Sequence, residues 1–496
     1  MYNSCKKKHT IDNIVSCDSP VGSGKTTAIM AHLLNQAHER GLRRIFVILP
    51  FTNIIEQSVK IYREALVLPG ENAELVISEL HHRADLEHED VRYLSALWQS
   101  PIIVTTAVSF FETLASKGSS ALRRLHQLPG SAIFVDEAHA VLPAKLLTVA
   151  WYWMNIYASD WSCYWVLASG SLNRFWQIDE ITKSAVSVPE IVDDELRSLL
   201  GIYESHRVSY KHDLIPKSLD ELSSWISQFA GPRLLIVNTV QSAAVISKQF
   251  CEVLGREQVE HLSTALISAD RKVTLDRIES RLKTPSDSNW TLVATSCVEA
   301  GVNLSFRNGF REISSLTSLL QASGRVNRSG IISGAEMWSF CLAENDMLTP
   351  NPGIENSASV LKGYLEQNTE INPYLTTKSI EKELKLYGIN AIHKRIFQKE
   401  QELNFQFVDE HFRVINSNTS IAIVDEKIAK LISCGKFDWR ELQKNSVQIA
   451  TYKLHELNIP QIADGIYHWT LGYNDFIGYM YGIIETNALS NGVLII

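Results

Sequence analysis

The sequence lacks the segments that would place it in a membrane or carry it out of the cell. Its apolar runs, such as residues 44–50, are far shorter than the roughly 20 residues that a membrane-spanning helix needs. No apolar signal segment follows the lysines at positions 6–8. The seven cysteines are scattered singly, without a Cys-x-x-Cys pair, so neither a structural zinc site nor a disulfide framework is indicated. We therefore expect a cytoplasmic protein with reduced thiols and no membrane contact.

A net positive charge is also missing. The 496 residues include 47 Lys and Arg against 55 Asp and Glu, which gives a formal net charge of −8. Global charge governs solubility, whereas nucleic-acid binding depends on local basic grooves, so this balance neither supports nor excludes a nucleic-acid partner. With 45% apolar and 21% charged residues the chain is typical of a soluble globular protein. Its length predicts two to four domains.

Residues 17–28 contain the most informative motif. A short apolar run leads into it, a helical pattern leads out, and Gly22, Gly24, Lys25 and Thr26 lie between them. Glycines let backbone N–H groups surround phosphate oxygens, the following helix N-terminus favours anions, and the lysine reaches the outer phosphates. The Thr26 hydroxyl is suited to Mg²⁺, although Ser19 stands where the usual pattern has Gly or Ala. We predict a phosphate-binding loop made by Gly22, Ser23, Gly24, Lys25, Thr26 and Thr27.

Apolar runs alternate with helical patterns through most of the chain, which predicts an α/β fold with parallel strands covered on both faces. The strands predicted for a first domain are at residues 43–51, 75–77, 102–106, 132–136 and 163–168. The pattern restarts with strands at 233–238, 291–295 and 337–341 and with helices at 240–253 and 316–323, but without a second phosphate loop. Two α/β domains that share one loop suggest a nucleoside triphosphate motor with a cleft.

Four segments follow from this organisation. We predict domains at 1–205 and 206–345, a linker with helices at 346–401, and a smaller domain of mixed short strands and a helix at 402–496. A cluster of proline and glycine in residues 344–353 marks the start of the linker. Helical sequence is predicted at 358–367 and at 379–401. Nothing in the last segment indicates chemistry.

An acidic motif, Asp136-Glu-Ala-His139, directly follows the strand predicted at 132–136. The carboxyl ends of parallel strands are where α/β sheets present ligand-binding residues. We predict that Asp136 holds Mg²⁺ through its water shell, that Glu137 accepts a proton from an attacking water, and that His139 bridges towards the second domain. The alternative is a loop of surface acids.

A pair of arginines lies in the second domain, in the sequence 321–328. Arg325 and Arg328 are three residues apart, which predicts that they share one helical face. Such a pair could reach across the cleft to the γ-phosphate of a nucleotide held by Lys25, and arginine fingers of this kind contribute on the order of 10³–10⁵ in rate. Two solvated arginines at a helix end are the alternative.

In this order, Gly-Ser-Gly-Lys-Thr, Asp-Glu-Ala-His and Gln-x-x-Gly-Arg-x-x-Arg resemble a superfamily 2 helicase of the DEAD/DEAH type. The segments 49–57, 104–114, 122–139, 294–304 and 318–328 narrow the resemblance to the helicase of type I CRISPR interference systems, which act in antiviral defence. The resemblance is dense over residues 14–330 and weaker after 400. It implies two RecA-like domains in tandem with a smaller C-terminal domain, ATP and Mg²⁺ as cofactors, and a CRISPR surveillance complex as partner.

The resemblance also implies roles for individual residues. Gly301 and Gln321 would lie on the nucleotide side, and Glu299 would couple strand binding to the nucleotide cleft. Residues 169–171 (Ser-Gly-Ser) take the place of a Ser-Ala-Thr relay. Contacts to the nucleic-acid backbone are implied for Thr52, Asn53, Thr105, Thr106, Asn238, Thr239 and Thr295. Since Thr and Asn are also ordinary loop-capping residues, the structural alternative has equal weight at each position.

Two elements of the resembled family are not found in the sequence. One is a glutamine-bearing helix before the phosphate loop, which would read adenine. The other is a metal-dependent nuclease domain, for which His81, His82, His88, Glu89 and Asp90 and the segment 211–213 (Lys-His-Asp) are weak candidates that we interpret as solvated surface. We therefore expect a separate HD nuclease chain or a missing upstream part. Five tryptophans between 151 and 176 favour core packing over base stacking.

Three functions remain open. The first is an ATP-dependent single-stranded DNA translocase or helicase with 3′ to 5′ polarity implied by the resemblance, in which Lys25, Asp136, Glu137, Arg325 and Arg328 are catalytic. The second is an RNA helicase of the same superfamily. The third is a nucleic-acid-binding module that keeps the fold without turnover.

Overall fold

The computed structural model describes residues 1–20, 22–50, 52–80, 97–182, 186–388, 392–414, 418–436 and 438–489. The chain divides into two compact units, each made of two separate stretches of sequence. Unit 1 combines residues 1–205 with 370–416, and unit 2 combines residues 206–369 with 417–496.

Unit 1 is built on a six-stranded sheet in the order β1-β6-β5-β2-β4-β3, in which all paired strands are parallel. Its central strands are buried along their length because helices cover both faces, as their uninterrupted apolar sequences predict. The strands are β1 (Ile14–Asp18), β2 (Arg44–Leu49), β3 (Ile77–Leu80), β4 (Ile102–Thr106), β5 (Ser131–Val135) and β6 (Tyr164–Ser169). Parallel pairing brings the carboxyl ends of these strands to one edge of the sheet.

The helices of unit 1 enclose two apolar cores, one on each face of the sheet. They are α1 (Tyr2–Lys7), α2 (Lys25–Arg40), α3 (Thr52–Leu66), α4 (Ala73–Val76), α5 (Ala107–Ala115), α6 (Ser119–Leu125), α7 (Ala138–Val141), α8 (Ala144–Ser159), α9 (Asp179–Thr182), α10 (Asp194–Arg207), α16 (Leu375–Tyr387), α17 (Ile392–Gln401) and α18 (Phe405–His411). The tryptophan cluster lies in one of these cores, since Trp151, Trp153, Trp165 and Trp176 are buried and Trp161 is partly buried against them. The prediction of core packing is confirmed.

Unit 2 repeats the architecture with a second six-stranded sheet of parallel pairs, in the order β7-β12-β11-β8-β10-β9. Its strands are β7 (Ser209–Lys217), β8 (Arg233–Ile236), β9 (Val259–Leu262), β10 (Thr291–Ala294), β11 (Asn308–Glu312) and β12 (Glu336–Leu342). The segment 211–213 lies in the edge strand β7, where Asp213 pairs with the Lys217 ammonium at 2.6 Å. Sequence reasoning did not find β7, β9 or β11, because polar residues interrupt their apolar pattern.

A smaller mixed sheet completes unit 2, with the strand order β14-β13-β16-β15 and both parallel and antiparallel pairs. Its strands are β13 (Thr419–Ile423), β14 (Ser446–Ala450), β15 (Gln461–Ala463) and β16 (Ile466–His468). The helices of unit 2 are α11 (Leu219–Ser227), α12 (Val240–Leu254), α13 (Ser268–Leu282), α14 (Leu316–Ser323), α15 (Glu355–Glu366), α19 (Glu426–Ser433), α20 (Trp439–Lys444), α21 (Thr451–Glu456) and α22 (Met480–Leu489). The predicted class, α/β with two RecA-like parallel sheets and a smaller mixed one, is confirmed.

Two local predictions need correction. The strand predicted at 75–77 is mostly helical, because Asn72 caps α4 by accepting a hydrogen bond from the backbone N–H of Glu74 at 2.9 Å, and β3 starts only at Ile77. The helix predicted at 379–401 is divided into α16 and α17, since Gly388 ends α16 in a positive-φ conformation. Within the described ranges, none of the helices has the length and apolar character that spanning a membrane requires.

Candidate functional site

The predicted phosphate-binding residues form the turn between β1 and α2. Gly22 and Gly24 have φ of 83° and 77°, a conformation that side-chain-bearing residues rarely adopt. Gly24 is the N-cap of α2 and has no side chain that could cap the first N–H groups of this helix. Among the residues that the structure describes, the buried Ser23 hydroxyl has no hydrogen-bond partner. Uncapped N–H groups at a helix N-terminus, beside an unsatisfied hydroxyl, make a donor set that fits an oxyanion such as phosphate.

Lys25, the first residue of α2, connects this loop to the acidic motif. Its ammonium Nζ lies 2.9 Å from Asp136 Oδ1 and 3.3 Å from Glu137 Oε1, and the residue is 8% exposed. Asp136 and Glu137 directly follow β5, so both stand at the carboxyl edge of the sheet as predicted. Burial acts to lower the pKa of Lys25, but the two carboxylates outweigh it and raise this pKa above its ordinary value. The structure therefore brings the predicted phosphate-binding lysine and acidic pair together as one charged cluster.

The two acids of the motif have different electrostatic environments. Burial raises the pKa of Asp136, although Lys25 opposes the shift. Burial also acts to raise the pKa of Glu137, but Lys25, His139 and Ser169 favour its ionised form and hold this pKa at about 2. The backbone at Glu137 has φ of 48°, and its N–H donates to Asp136 Oδ1 at 2.9 Å. Glu137 is therefore ionised at neutral pH in a fixed backbone geometry.

Ser169, at the end of β6, contacts the acidic pair. Its hydroxyl donates to Glu137 Oε2 at 3.1 Å and accepts a hydrogen bond from the Ser171 N–H at 3.0 Å. His139 Nδ1 is hydrogen-bonded to the same hydroxyl, and it lies 3.5 Å from Glu137 Oε2. Because the single hydroxyl proton goes to Glu137, Nδ1 of His139 is the donor to Ser169. The segment predicted as a relay thus holds Glu137 directly.

Acid is expected to destabilise unit 1 through His139. Burial lowers the pKa of this histidine to about 4, from an ordinary value near 6.5, so the unfolded chain binds the extra proton between these pH values. The stability of the wild type therefore falls as pH drops from 6.5 to 4, and a His139→Gln variant escapes this loss. Unfolding in urea, followed by tryptophan fluorescence, should show the stability gap between the two proteins narrowing by about 1.4 kcal/mol per pH unit in this window.

His261 of unit 2 provides a matched comparison. It is buried between the hydroxyls of Ser247 and Ser263, and burial lowers its pKa to about 3. The difference in stability between the wild type and a His261→Gln variant should therefore continue to narrow until about pH 3. A constant gap between wild type and His139→Gln from pH 7 to 4 would show that His139 is not buried in its neutral form.

The nucleic-acid contacts predicted in unit 1 fall at strand ends, as expected. Thr105 is fully buried in β4 and its hydroxyl donates to the backbone carbonyl of Leu80 at 2.8 Å. Thr106 is the N-cap of α5 and accepts a hydrogen bond from an N–H of the first helical turn at 3.1 Å. Both threonines thus have structural partners of the kind that the capping alternative predicts. Thr52 and Asn53 start α3, and their side chains lie outside the described residues.

The predicted residues of unit 2 lie at the carboxyl edge of its sheet and in the following turns. Asn238 follows β8, and Thr239 is the N-cap of α12, accepting from an N–H of its first turn at 3.1 Å. Thr295 follows β10 and is 6% exposed. Gly301 has φ of 79°, which requires glycine or strain. Gln321 lies on α14.

Both predicted arginines donate to backbone carbonyls of a single segment. Arg325 is 7% exposed, and its guanidinium donates to the carbonyls of Val298 at 3.0 Å and Glu299 at 2.9 Å. Arg328 donates to the carbonyl of Val302 at 3.3 Å, and burial lowers its pKa. Residues 298–302 and the arginine pair therefore form one connected structure within unit 2.

The prediction that these arginines share a helical face is wrong. Helix α14 ends at Ser323 with Gly324 as its C-cap, so Arg325 and Arg328 lie beyond it. Asn327, between them, has φ of 46°, which no α-helix contains. Val326 forms an isolated parallel β-bridge with Phe306, so the backbone at this point is extended and not helical.

Sequence reasoning missed several buried or half-buried charged residues at these sites. Glu190 accepts hydrogen bonds from the Ser16 hydroxyl and the Asp18 N–H just before the phosphate loop, and burial raises its pKa to about 7. Nothing in its local sequence distinguishes this glutamate. Arg311 and Glu312 end β11 and contact Asn238. Their strand, Asn308–Glu312, is not an apolar run, so no periodicity in the sequence marks this pair as a strand end.

Two further predictions concern a metal site and the segment that precedes the phosphate-binding residues. The group of His81, His82, His88, Glu89 and Asp90 lies outside the described residues. In the described part of the chain, no group of three or more His, Cys, Asp or Glu residues is arranged to hold a metal ion. Before β1 the chain forms the short helix α1, which contacts α2 and contains no glutamine.

Comparison with known proteins gives matches in both units. A family model described as DEAD/DEAH box helicase matches residues 5–149, and one described as CRISPR-associated nuclease/helicase Cas3, C-terminal, matches residues 230–331. A curated relative, the CRISPR-associated nuclease/helicase Cas3 of Haloferax volcanii, is 23% identical over an alignment that covers 68% of this chain and 47% of the relative. The chain thus spans about half the length of that relative.

Solved structures share the fold. The crystal structure of T. fusca Cas3 with AMPPNP is 16% identical, has a TM-score of 0.66, and is matched over 94% of this chain and 67% of that one. The T. fusca Cas3 structure with ATP gives a TM-score of 0.65 at 15% identity, covering 94% and 66%. A CRISPR RNA-guided surveillance complex in a pre-nicking state contains a chain with a TM-score of 0.56 at 12% identity, covering 92% and 64%.

Proposed function

We propose that this chain is a DEAD/DEAH-box helicase of the Cas3 type that hydrolyses ATP to move along single-stranded DNA. Its matches to the two family models support the family assignment. One observation carries the proposal: the lysine of the phosphate loop lies within 3.3 Å of both carboxylates of the acidic motif. Phosphoryl transfer depends mainly on positioning and on stabilising charge, and this cluster supplies the groups for both.

The residues present fit a nucleotide with Mg²⁺. Backbone N–H groups of residues 22–27 and the unsatisfied Ser23 hydroxyl would bind the phosphate oxygens, and Lys25 would bind the outer phosphates. Asp136 and the Thr26 hydroxyl supply oxygen ligands of the kind that Mg²⁺ prefers. The ion, when bound, would neutralise phosphate charge. ATP-bound and AMPPNP-bound structures exist for T. fusca Cas3, which has the same fold.

Glu137 is proposed as the residue that accepts the proton of the attacking water. Its pKa of about 2 makes it a weak base, and its contact with Lys25 contributes strongly to that low value. When Lys25 turns from Glu137 to a phosphate, this contribution is lost and the pKa of Glu137 rises towards the range of an effective base. Ser169, held by His139, keeps the carboxylate oriented throughout. The resting ion pair would thus restrain Glu137 until Lys25 has a phosphate to bind.

In unit 2, we propose that Arg325 and Arg328 stabilise the charge on the transferring phosphoryl group. Thr106, Asn238 and Thr239, at the carboxyl edges of the two sheets, are proposed to contact the nucleic-acid backbone, with Thr52, Asn53, Thr105 and Thr295. Hydroxyl and amide donors suit phosphate contacts, which carry no sequence information. A chain with net charge −8 can bind in this way because the contacts are local.

The nuclease and the partner complex are part of the same proposal. The curated relative is named a nuclease/helicase, and the family models that match this chain describe a DEAD/DEAH box helicase and the C-terminal part of the nuclease/helicase Cas3. We propose that the chain supplies the motor, that an HD-type nuclease chain supplies cleavage in trans, and that a CRISPR surveillance complex recruits both. The fold match to a chain in a surveillance complex supports this partner class.

ATP turnover is expected to rise at least about tenfold when single-stranded DNA saturates the protein, a change within the usual range of coupling free energies. The DNA concentration that gives half of this stimulation should rise with salt. The reason is that the logarithm of the affinity for a single strand falls with the logarithm of the salt concentration, with a slope of about −0.7 per phosphate contacted. Release of inorganic phosphate, measured over a series of DNA concentrations and ionic strengths, tests both points.

The same measurement with RNA and DNA oligonucleotides of one sequence compares how strongly each stimulates ATP turnover. Stronger stimulation by RNA would indicate an RNA helicase. Background turnover that is the same in wild type and in a variant lacking the Lys25 ammonium would indicate a binding module without activity. A flat salt dependence would contradict the phosphate contacts.

A further inference from the structure

Arg311 occupies an unusual position at the carboxyl end of β11. The residue is 3% exposed, yet its charged guanidinium has several partners from separate parts of unit 2. Such a fully buried charge is expensive unless it is paired and hydrogen-bonded. What it binds therefore indicates why it is there.

One side of the guanidinium fixes Asn238. Nη1 of Arg311 donates to Asn238 Oδ1 at 2.6 Å. The neighbouring Glu312 accepts from the Asn238 N–H at 2.7 Å, and the Asn238 amide donates to the carbonyl of Ile313 at 2.8 Å. The backbone and the side chain of Asn238, which follows β8, are thus both held by the end of β11.

The other side of the guanidinium contacts Glu299 and Ser318, which connect it to the arginine pair. Nε of Arg311 lies 2.9 Å from Glu299 Oε1 and donates to the Ser318 hydroxyl at 3.0 Å. That hydroxyl in turn donates to Glu299 Oε1 at 2.7 Å. Ser318 lies on α14, which leads to Arg325, and the backbone carbonyl of Glu299 accepts from Arg325 at 2.9 Å. Arg311 therefore contacts Glu299, whose backbone carbonyl accepts from Arg325, and Ser318, which lies on the helix that precedes Arg325.

The geometry requires a guanidinium. Its planar group can donate from Nε and Nη at once in fixed directions, whereas a lysine ammonium is a compact point charge on a flexible stem. Buried ion pairs give little net stability compared with apolar packing, so the Arg311–Glu299 pair is not explained by stability alone. A network with every member hydrogen-bonded is, however, well suited to holding separate segments in one arrangement.

We propose that Arg311 is a positioning residue that couples the nucleic-acid contact at Asn238 to the segment carrying Arg325 and Arg328. The inference rests on the proposed function, since it requires turnover that responds to nucleic acid. Through Arg311, a change at Asn238 on strand binding moves Glu299 and Ser318, and with them the arginine-bearing turn.

The test compares Arg311→Lys with Arg233→Lys. Arg233 is a second buried arginine of the same sheet, 2% exposed, at the amino end of β8. It donates to the Thr291 hydroxyl at 2.9 Å, the carbonyl of Phe229 at 2.7 Å and the Asn289 side chain at 2.9 Å. Each change keeps the charge and removes the fork, so losses of stability from burial should be similar. Thermal unfolding of both variants measures that loss of stability.

The ratio of DNA-stimulated to basal ATP turnover, measured at saturating single-stranded DNA, is expected to fall about tenfold in Arg311→Lys, the scale of a typical coupling free energy. The ratio should remain at its wild-type value in Arg233→Lys. Asn238→Ala removes the Oδ1 atom that accepts from Arg311, so the ratio at saturation should fall in this variant too. Its half-saturating DNA concentration should also rise, because the contact with the strand is lost.

Each result has a separate meaning. If DNA stimulates the wild type and Arg311→Lys reaches the same ratio of stimulated to basal turnover at saturation, the role of Arg311 is overturned and the proposed function stays in place. An equal fall in both lysine variants, in step with their unfolding temperatures, would reduce Arg311 to a structural residue. A wild-type chain whose turnover ignores nucleic acid would overturn both proposals.

Discussion

Replacing Lys25 by methionine is expected to lower ATP turnover at least about a hundredfold to a thousandfold, the loss typical of removing one preorganised charge-stabilising donor. The change also removes the ammonium that balances two buried carboxylates, and breaking such a pair costs about 3–5 kcal/mol of stability. Without Lys25 the pKa of Glu137 rises from about 2, so the variant binds protons in acid that the wild type does not. Its stability relative to wild type should therefore improve as pH falls below 5. Phosphate release and urea unfolding over pH 4–8 measure the two effects.

Lys217→Met is the matched control for this experiment. Lys217 also forms a close ion pair, with Asp213 at 2.6 Å, but it lies at the end of an edge strand in unit 2. It should retain wild-type turnover. A Lys25→Met protein that binds nucleotide and hydrolyses ATP at the wild-type rate would contradict the assignment of residues 22–27 as the phosphate site.

Glu137→Gln is expected to lower turnover by about 10²–10⁴-fold, the usual contribution of a general base, while nucleotide and DNA binding persist. Glutamine keeps the shape of the side chain, and its amide oxygen can still accept a hydrogen bond from Ser169, but it cannot take up a proton. Single-turnover hydrolysis and equilibrium binding of a fluorescent ATP analogue separate the two properties. The pattern differs from that of Lys25→Met, in which nucleotide binding is also weakened.

Glu400→Gln provides the control for an equivalent change elsewhere in unit 1. Glu400 is a half-buried carboxylate on α17 that accepts a hydrogen bond from the Trp153 indole at 3.0 Å, and burial raises its pKa. This variant should hydrolyse ATP like the wild type. Retained turnover in Glu137→Gln would exclude Glu137 as the base and direct attention to Asp136.

The sequence predicts well that Lys25, Asp136 and Glu137 come together, because each part of this cluster depends on local chemistry. Gly22 and Gly24 are needed for positive φ, and a lysine directly before a helical pattern places its ammonium beside the loop. Asp136 and Glu137 follow a strand that is apolar throughout, so the strand end could be located to the residue. Parallel pairing then brings the two motifs to one edge, which is a property of the fold class.

Unit 2 was harder to predict because its strands mix apolar and polar residues. In β11, the buried side chains of Asn308 and Arg311 form hydrogen bonds with other segments. The periodicity of the strand sequence does not reveal these partners. The arginine pair was assigned to a helix from its spacing alone, whereas the bridge of Val326 to Phe306, a contact between separate segments, ends that geometry. Long-range partners decide these positions, and a single sequence does not contain them.

The division of each unit into two stretches has a consequence for how the protein is made. Helices from residues 370–416 complete one of the two apolar cores of unit 1, where Ile396 and Phe412 are fully buried. In unit 2, a Cβ atom at Gly478 would lie 2.1 Å from the carbonyl oxygen of Ala265, so the last stretch is fitted closely against the earlier one. On the ribosome, residues 1–205 therefore emerge well before residues 370–416, which complete one of their two apolar cores.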